Sequence, residues 1–243
     1  MMSSNNTILL CGRDVHYSVR FSRKAKHISL SISLNKGLVV IIPYRFYGST
    51  ITVENLLQSK ARWIIRKIDR VAQRRTTLAA QRFVSGAKFQ FNGQELTLAI
   101  SHVDRQPARV RLDGQTLDIR LANNEDEAEV RRLVVAWYKH AAKRLIPDRV
   151  RDLNRPAGFK FSSITIRDQR SRWGSCSRRR ALSFNWRLLL LPPKVMDYLI
   201  FHELAHLQEM NHSEKFWLLL NKLSPDYRES EFWLKQNGIH LFW

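Results

Sequence analysis

Cysteine is scarce in this chain of 243 residues: only Cys11 and Cys176 are present. Two thiols cannot brace a small secreted fold, and neither stands in a C-x-x-C pair, so a disulfide scaffold and a paired-cysteine metal or redox motif are excluded. Such sparing use suits a reducing cytoplasm. Long hydrophobic runs are missing as well; no stretch approaches the roughly 20 apolar residues that cross a bilayer. The opening M-M-S-S-N-N-T-I-L-L-C-G lacks the basic start and apolar core of a secretory signal. A soluble, cytoplasmic protein with no membrane partner is expected. Acid is short too, with 21 Asp and Glu against 41 Lys and Arg, a net charge of +20 and a pI near 10.7. That imbalance predicts attraction to polyanions such as nucleic acid or nucleotides. The basic residues are nevertheless spread along the chain, as a generally basic surface would also have them. No glycine-rich phosphate loop accompanies them.

What is present in quantity is apolar: 44% of residues, enough for a real core in one large domain or two small ones. The most informative stretch is P-K-V-M-D-Y-L-I-F-H-E-L-A-H-L-Q-E-M, residues 193–210, which reads as one helix. His202 and His206 are four apart, one helical turn, and so share a face on which both imidazoles can meet one ion. Glu203 lies on the flank of that face, placed to take a proton from water bound to the ion rather than to bind the ion. His212 follows six residues after His206. For it to be the third ligand the chain must bend, and Asn211 is the expected bending point because Asn tolerates the left-handed conformation. Three neutral imidazoles and an open position describe a hydrolytic Zn2+ site. The helix is apolar nearly all round, which predicts burial. Burying two histidines and a carboxylate without partners costs several kcal/mol, a conflict that a metal removes.

Around this helix the pattern is α+β. Residues 27–43 read as a hairpin, Ile28, Leu30, Ile32 and Leu34 alternating with serines before an Asn35-Lys36-Gly37 turn. Val15 to Phe21 adds a strand. A helix over about 52–74 buries Val53, Leu57, Trp63, Ile64, Ile68 and Val71 and carries Lys60, Arg62, Arg66, Lys67 and Arg70 outside, a face that reads more readily as solvated than as a nucleic-acid contact. Two further hairpins turn at Asn92-Gly93 and Asp113-Gly114. Near 123 the character changes: Asn124 caps a helix begun by Glu125, Asp126 and Glu127, lined inside by Val130, Val134, Trp137, Ala141 and Leu145, and broken or kinked at Pro147. A boundary at 122 divides a β-rich N-terminal region, 1–122, from a C-terminal metal-hydrolase domain, 123–243. Ile164 and Ile166 form one strand, and Leu182, Phe184, Trp186 and Leu188 another. The connection between them, 167–180, gathers Arg167, Arg170, Arg172, Arg178, Arg179 and Arg180 about a Trp-Gly-Ser-Cys turn. A strand there can receive an extended peptide by edge pairing, Arg172 can stabilise developing negative charge, and Cys176 is a weaker candidate ligand. Beyond His212, a short helix with Phe216, Trp217, Leu220 and Leu223 inside, and another opened by Ser224-Pro225, are expected to pack under the metal helix.

The segments S-R-W-G-S-C-S, L-S-F-N-W-R-L-L-L-L-P-P, Y-L-I-F-H-E-L-A-H-L and N-H-S-E-K-F-W resemble the YgjP-like metallopeptidase family, long listed as domain of unknown function 45. The pattern from Gly86 to Leu96 is similar to that family's N-terminal part. The resemblance implies a zincin-type domain with His202, His206 and His212 on zinc and Glu203 as catalytic base. SprT-like and WLM proteases, which act near DNA, are similar at the metal motif only. Metzincins share the histidine spacing but have glycine where this chain has Glu209, and they place a methionine turn after the third ligand; here the last methionine is Met210. Glu209 is therefore open as a competing ligand, although the family pattern favours His212.

The leading expectation is a zinc metallopeptidase acting on polypeptide. A second is a metal-dependent pyrophosphatase acting on an anionic nucleotide, since some members of the family are assigned to UTP. Against that, three histidines favour zinc over magnesium. A third is a nucleic-acid-associated module whose metal is structural.

Overall fold

The computed structural model describes residues 5–33, 36–46, 53–103, 107–122, 126–169 and 172–241. Leu34, Asn35, Asn124, Glu125 and Arg170, invoked above for a strand, turns, a cap and a cationic cluster, lie outside them. The fold is mixed α+β, strand-rich first and helical later. Among the described residues no helix is long and apolar enough to cross a membrane. The chain forms two compact units, 1–80 and 81–243.

The first unit is a four-stranded sheet with two helices. Its strands are β1 (Asn5–Leu10), β2 (Arg13–Ser22), β3 (Ser29–Ser33) and β4 (Gly37–Pro43), in the order β1-β2-β4-β3. The β1–β2 turn is Cys11-Gly12, both at positive φ. The two hairpins join side by side through a parallel β2–β4 pair, from Tyr17 opposite Leu38 to Ser22 opposite Pro43. Helices α1 (Val53–Ser59) and α2 (Ala61–Ala80) replace the single helix expected over 52–74. Leu10, Val15, Tyr17, Leu38, Val40, Ile42, Leu57 and Ile64 form the core, as the period-2 alternation requires. Trp63 is not part of it: the ring is 43% exposed, because the apolar stripe of α2 centres on Ile64.

The second unit repeats that strand order. Strands β5 (Lys88–Phe91), β6 (Gln94–His102), β7 (Arg109–Asp113) and β8 (Thr116–Leu121) lie as β5-β6-β8-β7, again with a parallel central pair. Helix α3 (Glu127–Asn154) follows, capped by Asp126, whose carboxylate accepts from Glu129 N–H at 3.0 Å. It runs on through Pro147. Its buried stripe is Val130, Val134, Tyr138, Ala142, Ile146 and Val150, strictly four apart; Trp137, Ala141 and Leu145 are only half-buried.

The change of character near 123 does not separate the two units. Glu127 accepts from Phe83 N–H at 2.7 Å, and Tyr138 Oη donates to the Gln90 carbonyl at 2.8 Å, which ties α3 to the sheet before it.

A three-stranded sheet, β9 (Ser163–Arg167), β10 (Gly174–Cys176) and β11 (Ala181–Asn185), comes next, in the order β10-β11-β9. β9 and β11 are parallel; β10 is the antiparallel partner of β11, forms with it a hairpin beside α4, and takes the sheet edge. Trp186 and Leu188 do not extend β11. Residues Trp186–Leu190 form a 3-10 turn, fully inside the core, entered through Asn185, whose side chain accepts from Arg187 N–H.

Helix α4 (Pro193–Ala205) is the central helix of this unit. The β5–β6 turn docks on its start. Asn92 N–H donates to the Leu189 carbonyl at 2.7 Å, and a Cβ on Gly93 would meet Pro193 Cγ at 2.7 Å. Arg149 on α3 grips Asp197 on α4 with two hydrogen bonds, 2.8 and 2.5 Å. Helices α5 (Glu214–Leu223) and α6 (Tyr227–Asn237) complete the unit; α6 begins two residues after Pro225, and Ser224 ends α5 instead of opening α6.

Asp168 ties the loop before β10 to this core. It accepts from Lys139 Nζ at 2.7 Å, Trp186 Nε1 at 3.0 Å and the buried Arg187 at 2.5 Å. Partial burial pushes its carboxyl up, but the three donors outweigh that and hold it well below the usual carboxylate range. The linked stability is therefore present above the unfolded carboxylate's pKa and lost as pH falls through the depressed folded one. Asp168→Asn is expected to destabilise the fold by about 1–3 kcal/mol, read in a denaturant melt, because the charged acceptor shared by Lys139, Trp186 and Arg187 is lost.

Candidate functional site

Helix α4 presents His202 and His206 one turn apart, as the sequence predicts. The helix ends sooner than expected, at Ala205, with His206 as its C-cap. The chain then tightens: Leu207 N–H donates to Leu204 at 3.0 Å and Gln208 N–H to Ala205 at 3.0 Å, three-residue steps in place of four. This turn, and not a left-handed Asn211, redirects the chain; Asn211 is absent from the positive-φ residues.

The result brings three imidazoles together. One ligand nitrogen from each of His202, His206 and His212 lies within 4.8 Å of the others. His212 Nε2 is 3.1 Å from His202 Nε2, close to the separation of two nitrogens that share an ion at about 2.0–2.1 Å each. His206 Nδ1 is 3.0 Å from the Glu209 carbonyl. Donation there fixes the tautomer and leaves the Nε2 lone pair to face the other two rings. Glu209 thus serves through its backbone, and its carboxylate is not in the cluster.

A ring unremarked beyond its apolarity holds the three in place. Phe216 on α5, fully buried, lies 5.0, 4.6 and 4.7 Å from the His202, His206 and His212 centroids. Trp217 packs on His212 at 5.6 Å and stacks on Tyr227 of α6 at 5.6 Å. The S-E-K-F-W spacing after His212 is the only sequence signal for this floor.

Burial governs the protonation of these groups. It pushes His202 down to about 4, helped by its two histidine neighbours. It pushes His206 down as well, against the bond to Glu209. Both rings are therefore neutral near pH 7, the form that binds metal. Among the described residues, His202 Nδ1 is buried with no hydrogen-bond partner. Neutral, converging imidazoles with little else to bond fit a divalent transition metal of borderline softness.

Glu203 is 6% exposed and lies against β10. Burial pushes its carboxyl up to about 8, opposed by the Arg172 charge and by the Cys176 N–H that it accepts. Gly174 makes this contact possible: a Cβ there would sit 2.6 Å from Glu203 Oε1 and 2.7 Å from its Cγ.

Arg172 is exposed, close enough to act on Glu203, and its carbonyl accepts from Asn185 Nδ2 at 3.0 Å. Cys176 lies on β10 outside the histidine cluster, its thiol pushed up by burial and by Glu203 against the pull of Arg180. The other arginines disperse, Arg178, Arg179 and Arg180 to the exposed β10–β11 turn and Arg167 to the end of β9.

A family pattern described as "YgjP-like, metallopeptidase domain" matches residues 26–237. No curated protein matches the chain. Two solved structures are similar to part of it. The metallopeptidase zymogen of Pyrococcus abyssi abylysin is 22% identical, over 38% of this chain and 94% of that one, with a TM-score of 0.35. The metallopeptidase zymogen of Methanocaldococcus jannaschii jannalysin is 26% identical, over 37% and 94%, with a TM-score of 0.33. With the family pattern spanning most of its length, the chain belongs to the YgjP-like family of metal-dependent peptidases.

Proposed function

We propose that the chain is a zinc-dependent peptidase in which His202, His206 and His212 hold the ion and Glu203 is the general base. The observation that carries this is the convergence of three imidazoles above Phe216 with one buried carboxylate beside them. Zinc bound there supplies Lewis acidity and an acidified water. Glu203 takes the water's proton on its carboxylate and returns it to the leaving amine. Arg172, exposed and beside Glu203, favours negative charge developing on the substrate. β10 is the open edge of its sheet and packs against α4, so an extended peptide can add to it beside Glu203.

The test is elemental analysis of untreated protein joined to hydrolysis of unfolded casein and of UTP. Stoichiometric zinc, casein cleavage abolished by chelation and restored by zinc, and loss of both metal and cleavage in His212→Ala are the expected results. Full cleavage by metal-free protein overturns the proposal. Pyrophosphate release from UTP without casein cleavage replaces it with the nucleotide reading.

A further inference from the structure

The positive charge of this protein is concentrated in its first compact unit. Residues 1–80 carry 14 Lys and Arg against three Asp and Glu, and no acidic residue lies between Asp14 and Glu54. Two of the three acids are engaged within the unit: Glu54 accepts from Tyr17 Oη at 2.8 Å, and Asp69 pairs with Arg13 at 2.6 Å.

Topology gathers part of this charge at one place. β2 and β4 run parallel and finish together, Ser22 opposite Pro43. The segments that leave them, 23–26 and 44–46, therefore emerge at the same end of the sheet. Arg45 Nη2 donates to the Lys26 carbonyl at 2.9 Å, and the Arg23 guanidinium lies 5.2 Å over the Tyr44 ring. Arg23, Lys24, Lys26 and Arg45 are all exposed there, beside the exposed rings of Phe21 (36%) and Tyr44 (38%). Among the described residues these cations have no carboxylate partner; gathered so, they repel one another, and an external anion relieves that repulsion. Exposed rings among them add faces on which bases can stack, the combination that single-stranded nucleic acid needs and that a merely solvated face does not.

We propose that this end of the first sheet binds single-stranded nucleic acid, the phosphates on Arg23, Lys24, Lys26 and Arg45 and bases against Tyr44 and Phe21. The surface is a property of the first unit alone and does not depend on the peptidase reading of the second.

The test is fluorescence anisotropy of a labelled oligothymidylate with the full chain across a salt series. Binding is expected to weaken steeply with salt. Joint replacement of Arg23, Lys24 and Lys26 by Ala should weaken it about ten-fold or more and lower the slope of log K against log salt by about 2. Tyr44→Ala should weaken it about five-fold or more with little change in slope. Joint replacement of Lys143, Arg144 and Lys222, three exposed charges of the second unit, should leave it unchanged. Should the triple variant fail to fold, Lys24→Ala with Lys26→Ala, which keeps the Arg23–Tyr44 stack, should lower the slope by about 1. No binding at physiological salt, equal loss in the second-unit control, or an unaltered Tyr44→Ala overturns the proposal. So does stronger retention on anionic phospholipid vesicles than on the oligonucleotide.

Discussion

Replacing Glu203 with Gln is expected to lower peptide turnover by about 10²–10⁴-fold while leaving metal content unchanged. The carboxylate is outside the histidine cluster, so the amide removes a proton acceptor without removing a ligand. Stability supplies an independent reading. The Glu203 carboxyl is raised to about 8 by burial, so the folded, metal-free chain holds a proton that the unfolded chain has released. Metal-free protein therefore loses stability as pH rises from the ordinary carboxylate range towards 8, and has lost the full amount above it. Gln has no such charge to bury. The melting temperature of metal-free Glu203→Gln should match or exceed that of the parent above pH 8 and should lack this decline. Measuring metal by elemental analysis, turnover on a fluorogenic peptide and melting across pH gives three separate outcomes. Full turnover removes Glu203 from the chemistry; lost metal assigns it to the ion's ligands.

Gly174→Ala is expected to have the second largest effect, a fall in turnover of about 10²-fold, from a substitution that adds one methyl group. The methyl would stand 2.6, 2.7 and 2.9 Å from Glu203 Oε1, Cγ and Cδ, distances at which something must move. The flexible partner is the Glu203 side chain, which would swing off the Cys176 N–H that now orients it. The three histidines are not among the atoms nearest that methyl and should keep their metal. A double-mutant cycle separates displacement of the base from damage to the strand. In a Glu203→Ala background the Cγ, Cδ and Oε1 that the methyl would meet are all gone, so Gly174→Ala should cost little of the residual turnover there. Equal losses in both backgrounds would instead indict β10 itself. Trp173, before Gly174, and Cys176, two residues after it, make the strand's neighbouring contacts, and a change in thermal melting would accompany that second outcome.

Much of this was legible before any fold was seen, wherever the signal was local. Hairpins at Asn92-Gly93 and Asp113-Gly114 follow from residues that tolerate the turn's backbone, and both form. His202 and His206 share a face because they are four apart, whatever surrounds them. The misreadings arose where a local pattern met distant partners. Alternation in Leu182, Phe184, Trp186 and Leu188 is equally compatible with a strand and with a buried 3-10 turn, and burial from α3 and β5 decided for the turn after Asn185. The 167–180 connection gives no alternation, yet it holds β10, which forms the hairpin with β11 and leaves β9 as the parallel partner. Trp63 fits the helical period as well as its neighbours do, and only the sheet's position leaves it outside.

The amino-acid sequence by itself determined the chemistry on offer: three imidazoles, an adjacent carboxylate, an excess of positive charge and the strands and helices that carry them. Residue type and short-range spacing are intrinsic to the chain. Tertiary structure alone decided that His212 reaches the other two rings through a turn begun at His206, that Phe216 supports all three, that the Glu209 carbonyl orients one, and that Gly174 leaves Glu203 its space. Each of these is a contact of a few ångströms between groups whose closeness no local period encodes, because it arises only when α4, α5 and β10 pack against one another.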